Sequence, residues 1–336
     1  MVASAYTVIV PAYNAGDTLD DCLTALRAAK PAPAEIVLCD DGSTDDTAEI
    51  ARSHGVRVVR GATARQGAGA ARNAAARHAR TSRILFVDAD VVIEPCAPRR
   101  LLAALGDGVV AAFGAYGDRP RVRRFAGRYA NLRHHHAHVT APREAETFWT
   151  GLGAVDRGVF ERVGGFDEAS PLEDVEIGPR LRRHGRVRIV PEAVGHHLKD
   201  WTLAQLWRTD VLVRAVPWSS MMAAGHLPPT MNAARAEQAK SGLAHACWLL
   251  AALAALFFSP TLAAAAAAAL LAYLWLNRAF LGLLAQDSVG LAVAGAGLHL
   301  AYHVYASATC TLVLVGHGMS ARVKRRPSRG AAQPAR

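Results

Sequence analysis

The chain has 336 residues and a formal net charge of +10. That length accommodates one catalytic domain with an appendage, and the basic surplus comes without a helix-turn-helix, zinc-finger or aromatic RNA-binding signature, so nucleic acid is not the expected partner. The five cysteines, Cys22, Cys39, Cys96, Cys247 and Cys310, show no paired spacing, which speaks against a disulfide framework or a zinc site.

In chain order, residues 7–10 read as a short buried strand that stops at Pro11. Residues 17–29 carry helical periodicity through Leu19, Cys22, Leu23 and Leu26, with Asp17 or Thr18 as cap. Strands are expected at 35–39, 56–59 and 84–87, with helices at 45–54 and 68–79 between them. Strand and helix thus alternate four times, which predicts a parallel sheet covered on both faces. A further strand is expected at 109–116 and helices at 121–139, 156–163 and 173–184; a strand at 186–191 precedes His196-His197.

From 243 to 315 the chain is overwhelmingly apolar, with Arg278 and Asp287 its only Asp, Glu, Lys or Arg. The stretches 243–258 and 261–276, broken at Ser259-Pro260, are each shorter than the roughly 20 residues that span hydrocarbon. They suit a hairpin of two short spans or a partial insertion. Residues 277–287 have an apolar face and polar ends and suit the interface, and 289–315 is long enough to cross. Three crossings from a cytosolic start would place the basic tail outside, against the positive-inside bias. The expected division is therefore a catalytic domain at 1–220, a linker or interfacial segment at 221–242, membrane helices at 243–316 and a basic, disordered tail at 317–336. Residues 1–5 carry no charged region of a secretory signal, so the catalytic part is expected in the cytosol. The arginine groups at 119–133, 180–188 and 322–329 suit anionic membrane lipid.

Asp88 and Asp90 follow the apolar run 84–87 and, two residues apart, project together from a strand's carboxyl end. Open α/β sheets bind ligands there. Two convergent oxygen donors suit a hard divalent ion that also holds phosphates, such as magnesium. Asp40 and Asp41 close an earlier strand, where an acid can accept hydrogen bonds from a nucleobase imide or a ribose hydroxyl. Gly67-Ala68-Gly69-Ala70-Ala71-Arg72 lacks the third glycine of a dinucleotide motif; its glycines let backbone and Arg72 approach a diphosphate at a helix N-terminus. No Walker lysine motif is present.

Val10-Pro11-Ala12-Tyr13-Asn14, the run Asp40 to Asp45, Gly69-Ala70-Ala71-Arg72-Asn73 and Asp88-Ala89-Asp90 resemble, in order and spacing, family 2 glycosyltransferases of the GT-A fold. The likeness continues through Phe148-Trp149-Thr150-Gly151, the run Val163 to Glu168, Glu173-Asp174 and His197-Leu198-Lys199, and spans residues 6–220. It implies an α/β GT-A domain, a mostly parallel sheet with helices on both faces, followed here by membrane-associated helices. It places Pro11, Tyr13 and Asp40 or Asp41 at the nucleoside, Arg72 near the donor, Asp88 at the ribose or metal, and Asp90 on the metal, Mg2+ or Mn2+. Asp174 matches the family's catalytic base, and His197 a histidine that completes the metal site in some members, with His196 one residue away. Trp149, Gly151 and Glu173 fall on the acceptor side. One base and no second carboxylate nucleophile implies single displacement with inversion.

The implied activity is transfer from a nucleotide sugar to a membrane-presented acceptor, a lipid or lipid-linked saccharide, in cell-envelope polysaccharide work. Gln205-Leu206-Trp207-Arg208-Thr209 departs from the Gln-x-x-Arg-Trp signature of processive synthases, which argues against polymer extrusion by this chain. The alternatives are a catalytically idle module of the same fold, although every acid is present, and a nucleotidyltransferase, although the Gly-rich, Lys-containing loop expected after the first strand is replaced by Pro-Ala-Tyr-Asn.

Overall fold

The structure is a computed structural model that describes residues 5–61, 65–226 and 235–324, with side chains to His317. The expected tail beyond that point and part of the linker at 221–242 lie outside the described residues. Strands β1 (Tyr6–Ala12), β2 (Glu35–Asp40), β3 (Arg57–Arg60) and β4 (Arg83–Val87) alternate with helices α1 (Gly16–Arg27), α2 (Thr47–Ser53) and α3 (Ala68–Ala76). Next come β5 (Val91–Ile93), α4 (Ala97–Ala104), β6 (Val109–Tyr116), α5 (Phe125–Thr140), β7 (Leu152–Asp156), α6 (Arg157–Arg162), α7 (Glu173–Arg182) and β8 (Arg186–His197). The eight strands form one sheet in the order β3-β2-β1-β4-β7-β6-β8-β5.

β1 pairs in parallel with β2 and β4, and β2 with β3, as the alternation of strand and helix requires. A strand covered on both faces is apolar throughout, and β1 is buried along nearly its whole length. Alanines line the buried side of α3 and let it approach β1 and β2 closely. The sheet turns mixed at β7, which runs antiparallel between β4 and β6. Neither β5 nor β7 is legible in the sequence: three and five residues are too short for a period to emerge.

Several boundaries move. Helix α1 begins at Gly16 after Ala15, and neither Asp17 nor Thr18 caps it. Helix α5 starts at Phe125 rather than 121. Asp156 does cap α6, accepting from Val159 N at 3.1 Å. Strand β8 continues past 191 to His197, so the two histidines stand on a strand instead of in a loop. In a strand, successive side chains face opposite ways.

Beyond β8 lie α8 (Leu203–Arg208), a π-helical turn (Thr209–Ala215), α9 (Val216–Ala223), α10 (Arg235–Phe257), α11 (Pro260–Leu276), α12 (Arg278–Asp287) and α13 (Val289–Lys324). Helices α10 and α13 are long and apolar enough to cross a membrane, and α11 with α12, bent by 71°, makes a third crossing if the pair counts as one span. The polar start at 235–242 lengthens α10 beyond the short apolar run, which is why the sequence understates it.

The chain divides into two compact units, Met1–Leu206 with Leu274–Gly297, and Trp207–Tyr273 with Leu298–Arg336. In the first, α12 packs on α5: the Phe280 and Tyr129 rings meet edge to face at 5.8 Å, and Arg128 pairs with Asp287. In the second, Tyr273 and Glu237 hydrogen-bond the two nitrogens of buried His303 at 2.8 and 3.1 Å.

Candidate active site

The carboxyl ends of β1, β2 and β4 open onto a cleft of about 420 Å³ lined by Pro11, Tyr13, Asp41, Arg65, Arg72, Asp88, Asp90 and Lys199, among others. Each acid sits where a strand stops and the chain must turn. Asp40 ends β2 and turns its Oδ1 to the amide of Ser43 at 2.9 Å. Asp41 accepts from the amides of Gln66 and Gly67 at 2.9 and 2.8 Å, one on each oxygen. Both carboxylates therefore shape turns, and of the two Asp41 lines the cleft. Gly67, at φ 101°, opens α3 in a conformation that a side chain disfavours.

Arg72 rises from α3, is 4% exposed, and spans two elements. Its Nη2 donates to Asp88 and its Nη1 to Glu173, each at 2.6 Å. Burial opposes the guanidinium charge, and the two carboxylates overcome it, holding its pKa above the ordinary value. Asp88 and Glu173, expected at the ribose or metal and at the acceptor, both face this arginine. The neighbouring Asn73 fixes the following loop: its Oδ1 accepts from Phe166 N and its Nδ2 donates to Phe166 O, both at 2.9 Å.

Asp174 lies in the first turn of α7, half-buried, with its Oδ1 accepting from Val175 N at 2.8 Å. Its carboxyl is pushed up to about 7, first by burial, then by the adjacent Glu173 charge, with Arg72 pulling the other way. A carboxylate in that range takes and returns a proton near neutrality. Backbone ties α7 to the segment before β7 through Phe148 N and Asp174 O at 3.3 Å.

Asp90 stands between β4 and β5, and antiparallel pairing of β5 with β8 sets Val91 opposite His197. That register brings His197 Nε2 to 3.3 Å from Asp90 Oδ2, while His196 faces Glu94 at 3.8 Å. Burial pushes the Asp90 carboxyl up, but the charge and hydrogen bond of His197, with Lys199 beside it, outweigh burial and leave it below the ordinary value. Among the described residues no three His, Cys, Asp or Glu side chains gather into a metal cage. A carboxylate and an imidazole edge fit an ion that completes its shell with water and substrate phosphates, the usual habit of magnesium sites. Asp88, the third expected ligand, is engaged by Arg72 instead.

Trp149 packs edge-on to Tyr116 at 4.7 Å, and Tyr116 stacks on His197 at 4.9 Å. A Cβ on Gly151 would lie 2.5 Å from the Trp149 ring, so glycine is what lets the indole fold back there. The Gly151 carbonyl accepts from Asp88 N at 3.4 Å, which sets the Trp149 segment beside the acids.

Three residues at or behind the cleft are given no role by the sequence. The Arg65 guanidinium lies 4.2 Å from the Tyr13 ring centroid. Lys199 lines the cleft two residues past His197, and the strand extending to His197 is what places it there. Asn131, in the middle of α5, reaches the His197 ring.

Residues 7–164 match the sequence model described as glycosyl transferase family 2. This segment of the chain, residues 7–164, is a family 2 glycosyltransferase domain. Validoxylamine A glucosyltransferase of Streptomyces hygroscopicus subsp. limoneus is 31% identical to this chain over 217 residues, 53% of this chain and 48% of that protein. Poly-beta-1,6-N-acetyl-D-glucosamine synthase of Staphylococcus aureus (strain MSSA476) is 24% identical over 225 residues, 61% of this chain and 52% of that one. The chain thus spans about half the length of these two relatives. Mannosyltransferase PcManGT from Pyrobaculum calidifontis, solved in complex with GDP-Man and Mn2+, aligns with a TM-score of 0.55 at 21% identity, covering 97% of this chain and 89% of that one. The shared architecture is the GT-A fold.

Proposed function

We propose that this glycosyltransferase moves a sugar, with inversion, from a nucleoside-diphosphate donor in the cytosol to a lipid or lipid-linked saccharide at the membrane. The observation that carries the reading is the Arg72 bridge, which joins the donor-side acid Asp88 to Glu173, the neighbour of Asp174, across 2.6 Å contacts on each side. Donor grip and base are thereby parts of one constellation.

Pro11, Tyr13 and Asp41 line the part of the cleft suited to the nucleoside, with Asp40 fixing the turn behind them. Arg72 and Lys199 supply positive charge for the diphosphate. Asp90 and His197 would hold Mg2+ or Mn2+, which supplies charge neutralisation to the departing diphosphate. Asp174 takes the proton of the acceptor hydroxyl, the acceptor oxygen bonds to the anomeric carbon, and the bond from that carbon to the diphosphate oxygen breaks. The nucleoside diphosphate leaves with the electron pair. A base whose carboxyl titrates near 7 suits this step.

PcManGT was solved in complex with GDP-Man and Mn2+, which supports the donor class and the metal. The two membrane-length helices support an acceptor presented by a bilayer. The domains then read as a catalytic part at 1–220, a linker at 221–242 and a membrane part at 243–316. The test is incubation of the full chain in membranes with a panel of nucleotide sugars and lipid extract, the anomeric configuration of the product being read by NMR. An inverted product requiring Mg2+ or Mn2+, lost in Asp174→Asn and Asp90→Asn, is the expected result. A retained configuration, or undiminished turnover in either variant, overturns the reading.

A further inference from the structure

We propose that Asp200 is a positioning residue for Lys199: by clamping the N-terminus of α5 it fixes the loop that aims this lysine into the cleft, where its charge meets the donor diphosphate. The inference rests on the reading of Lys199 as a diphosphate contact.

Strand β8 ends at His197, and residues 198–202 lead to α8 without regular structure. Lys199, within this stretch, is exposed yet lines the cleft. A lysine is a point charge on a flexible four-carbon stem, so it serves one spot only where the backbone beneath it is held. On one side of it, Leu198 N donates to the Asp90 carbonyl at 2.8 Å. On the other, the buried Trp201 ring lies 5.1 Å from the His197 ring, with Lys199 Nζ 5.6 Å from the Trp201 ring centroid. Asp200 stands between these two holds.

Asp200 and α5 complete one another. The first amides of a helix have no acceptor within it, and Arg124, at the N-cap of α5, makes no cap bond with its own side chain. Its amide donates to Asp200 Oδ1 and its Nη1 to the Asp200 carbonyl, both at 2.9 Å. The helix dipole also favours a carboxylate at this end. Gly127, in the first turn, marks how close the approach is: a Cβ there would lie 2.6 Å from Asp200 Oδ1 and 3.3 Å from Asp200 Cα. Glycine weakens a helix, and the seat it leaves for Asp200 accounts for it here. A carboxylate beside an anion site repels the anion, so the charge of Asp200 works against donor binding and its hydrogen bonds work for it. The test therefore has a sign.

The full chain in detergent with Mn2+ is titrated by calorimetry with UDP, GDP, CDP, ADP and dTDP, and the variants are compared on the nucleotide that wild type binds. Lys199→Ala should weaken binding by about tenfold, the size of a charge-assisted hydrogen bond. Asp200→Ala should weaken it by about three- to tenfold through the lost clamp, although loss of a negative charge alone would tighten it. Asp200→Asn, whose amide oxygen still accepts from the Arg124 amide, should bind at least as well as wild type. Combining Asp200→Ala with Lys199→Ala should lose no more than Lys199→Ala alone. Melting curves show that each variant is folded. Should Asp200→Ala not fold, Gly127→Ala, which pushes Asp200 aside without removing it, must show the same loss. Wild-type or tighter binding in Asp200→Ala or Gly127→Ala, alongside weakened binding in Lys199→Ala, overturns this inference alone and leaves Asp200 a cap of α5. So does a further loss in the double variant, or an equal loss in Asp200→Asn. Unaltered binding in Lys199→Ala, or no binding of any of these nucleotides by the wild-type chain, overturns the reading of Lys199 and the inference with it.

Discussion

Arg72 Nη1 and Glu173 Oε1 lie 2.6 Å apart, and this contact leaves the adjoining Asp174 without an ion-pair partner among the described residues. Two successive carboxylates at the start of α7 thus have opposite electrostatic fates. Glu173 pairs with a buried cation that it shares with Asp88; Asp174 keeps its proton to higher pH because burial and the Glu173 charge outweigh the pull of Arg72.

Arg72→Ala leaves Asp88 and Glu173 facing one another across the space of a lost charge. Breaking a buried pair from one side costs about 3–5 kcal/mol, and the partial exposure of Asp88 places the expected loss at the lower end. Denaturant unfolding should show it. Arg72→Lys should recover only part, because one ammonium cannot reproduce two contacts made by separate guanidinium nitrogens.

The raised carboxyl of Asp174 fixes the sign of two pH effects. Between the ordinary value of 3.8 and about 7 the folded chain keeps a proton that the unfolded chain releases. Stability therefore falls as pH rises through that window, by about 1.4 kcal/mol per pH unit at most. Asp174→Asn removes this loss, so its melting temperature should exceed wild type by more at pH 8 than at pH 5. Turnover runs the other way and should drop about tenfold per unit below pH 7 as the base protonates. In Glu173→Gln the repelling charge is gone, and the acid limb of the pH–rate curve should move to lower pH. An unmoved limb would separate the rate-controlling group from Asp174.

Arg65 covers Tyr13 at the mouth of the cleft with its guanidinium 4.2 Å from the ring centroid. Arg65→Ala should raise KM for the nucleotide sugar by roughly tenfold with kcat little changed, the size of a stacking and charge contact of about 1–2 kcal/mol. Initial-rate kinetics in both parameters test this: an equal fall in kcat would place Arg65 in the chemical step.

Gly178 allows α7 to lie against the chain before β7: a Cβ there would stand 2.5 Å from both the Glu146 carbonyl oxygen and Thr147 Cα. Those are backbone atoms and cannot rotate away. Gly178→Ala should cost about 1–3 kcal/mol in unfolding measurements, and it should lower kcat as well, since α7 carries Asp174.

The acids at the strand ends are legible because apolar runs of four or five residues followed by Asp mark both the strand and its exit. Asp174 and His197 are legible only through likeness to a family, since neither belongs to a pattern that local physics singles out. What escapes depends on distant pairing. Leu152–Asp156 becomes a strand because β4 and β6 flank it, and His197 reaches Asp90 because β5 pairs with an extended β8. The turn contacts of Asp41 are equally hidden, for its amide partners lie 25 and 26 residues along the chain.

The docking of α12 on α5, through Phe280 and Tyr129 and the Arg128–Asp287 pair, bears on how the molecule is made. The sheet is complete when synthesis passes His197, yet α5 still shows an aromatic face that belongs to α12. Residues 207–273 must be translated before that cover exists. A shortened chain ending near residue 220 would keep the sheet and the cleft while baring Tyr129 to solvent. A soluble catalytic fragment therefore calls for residues 278–287 to be grafted back through a new linker, not for truncation alone.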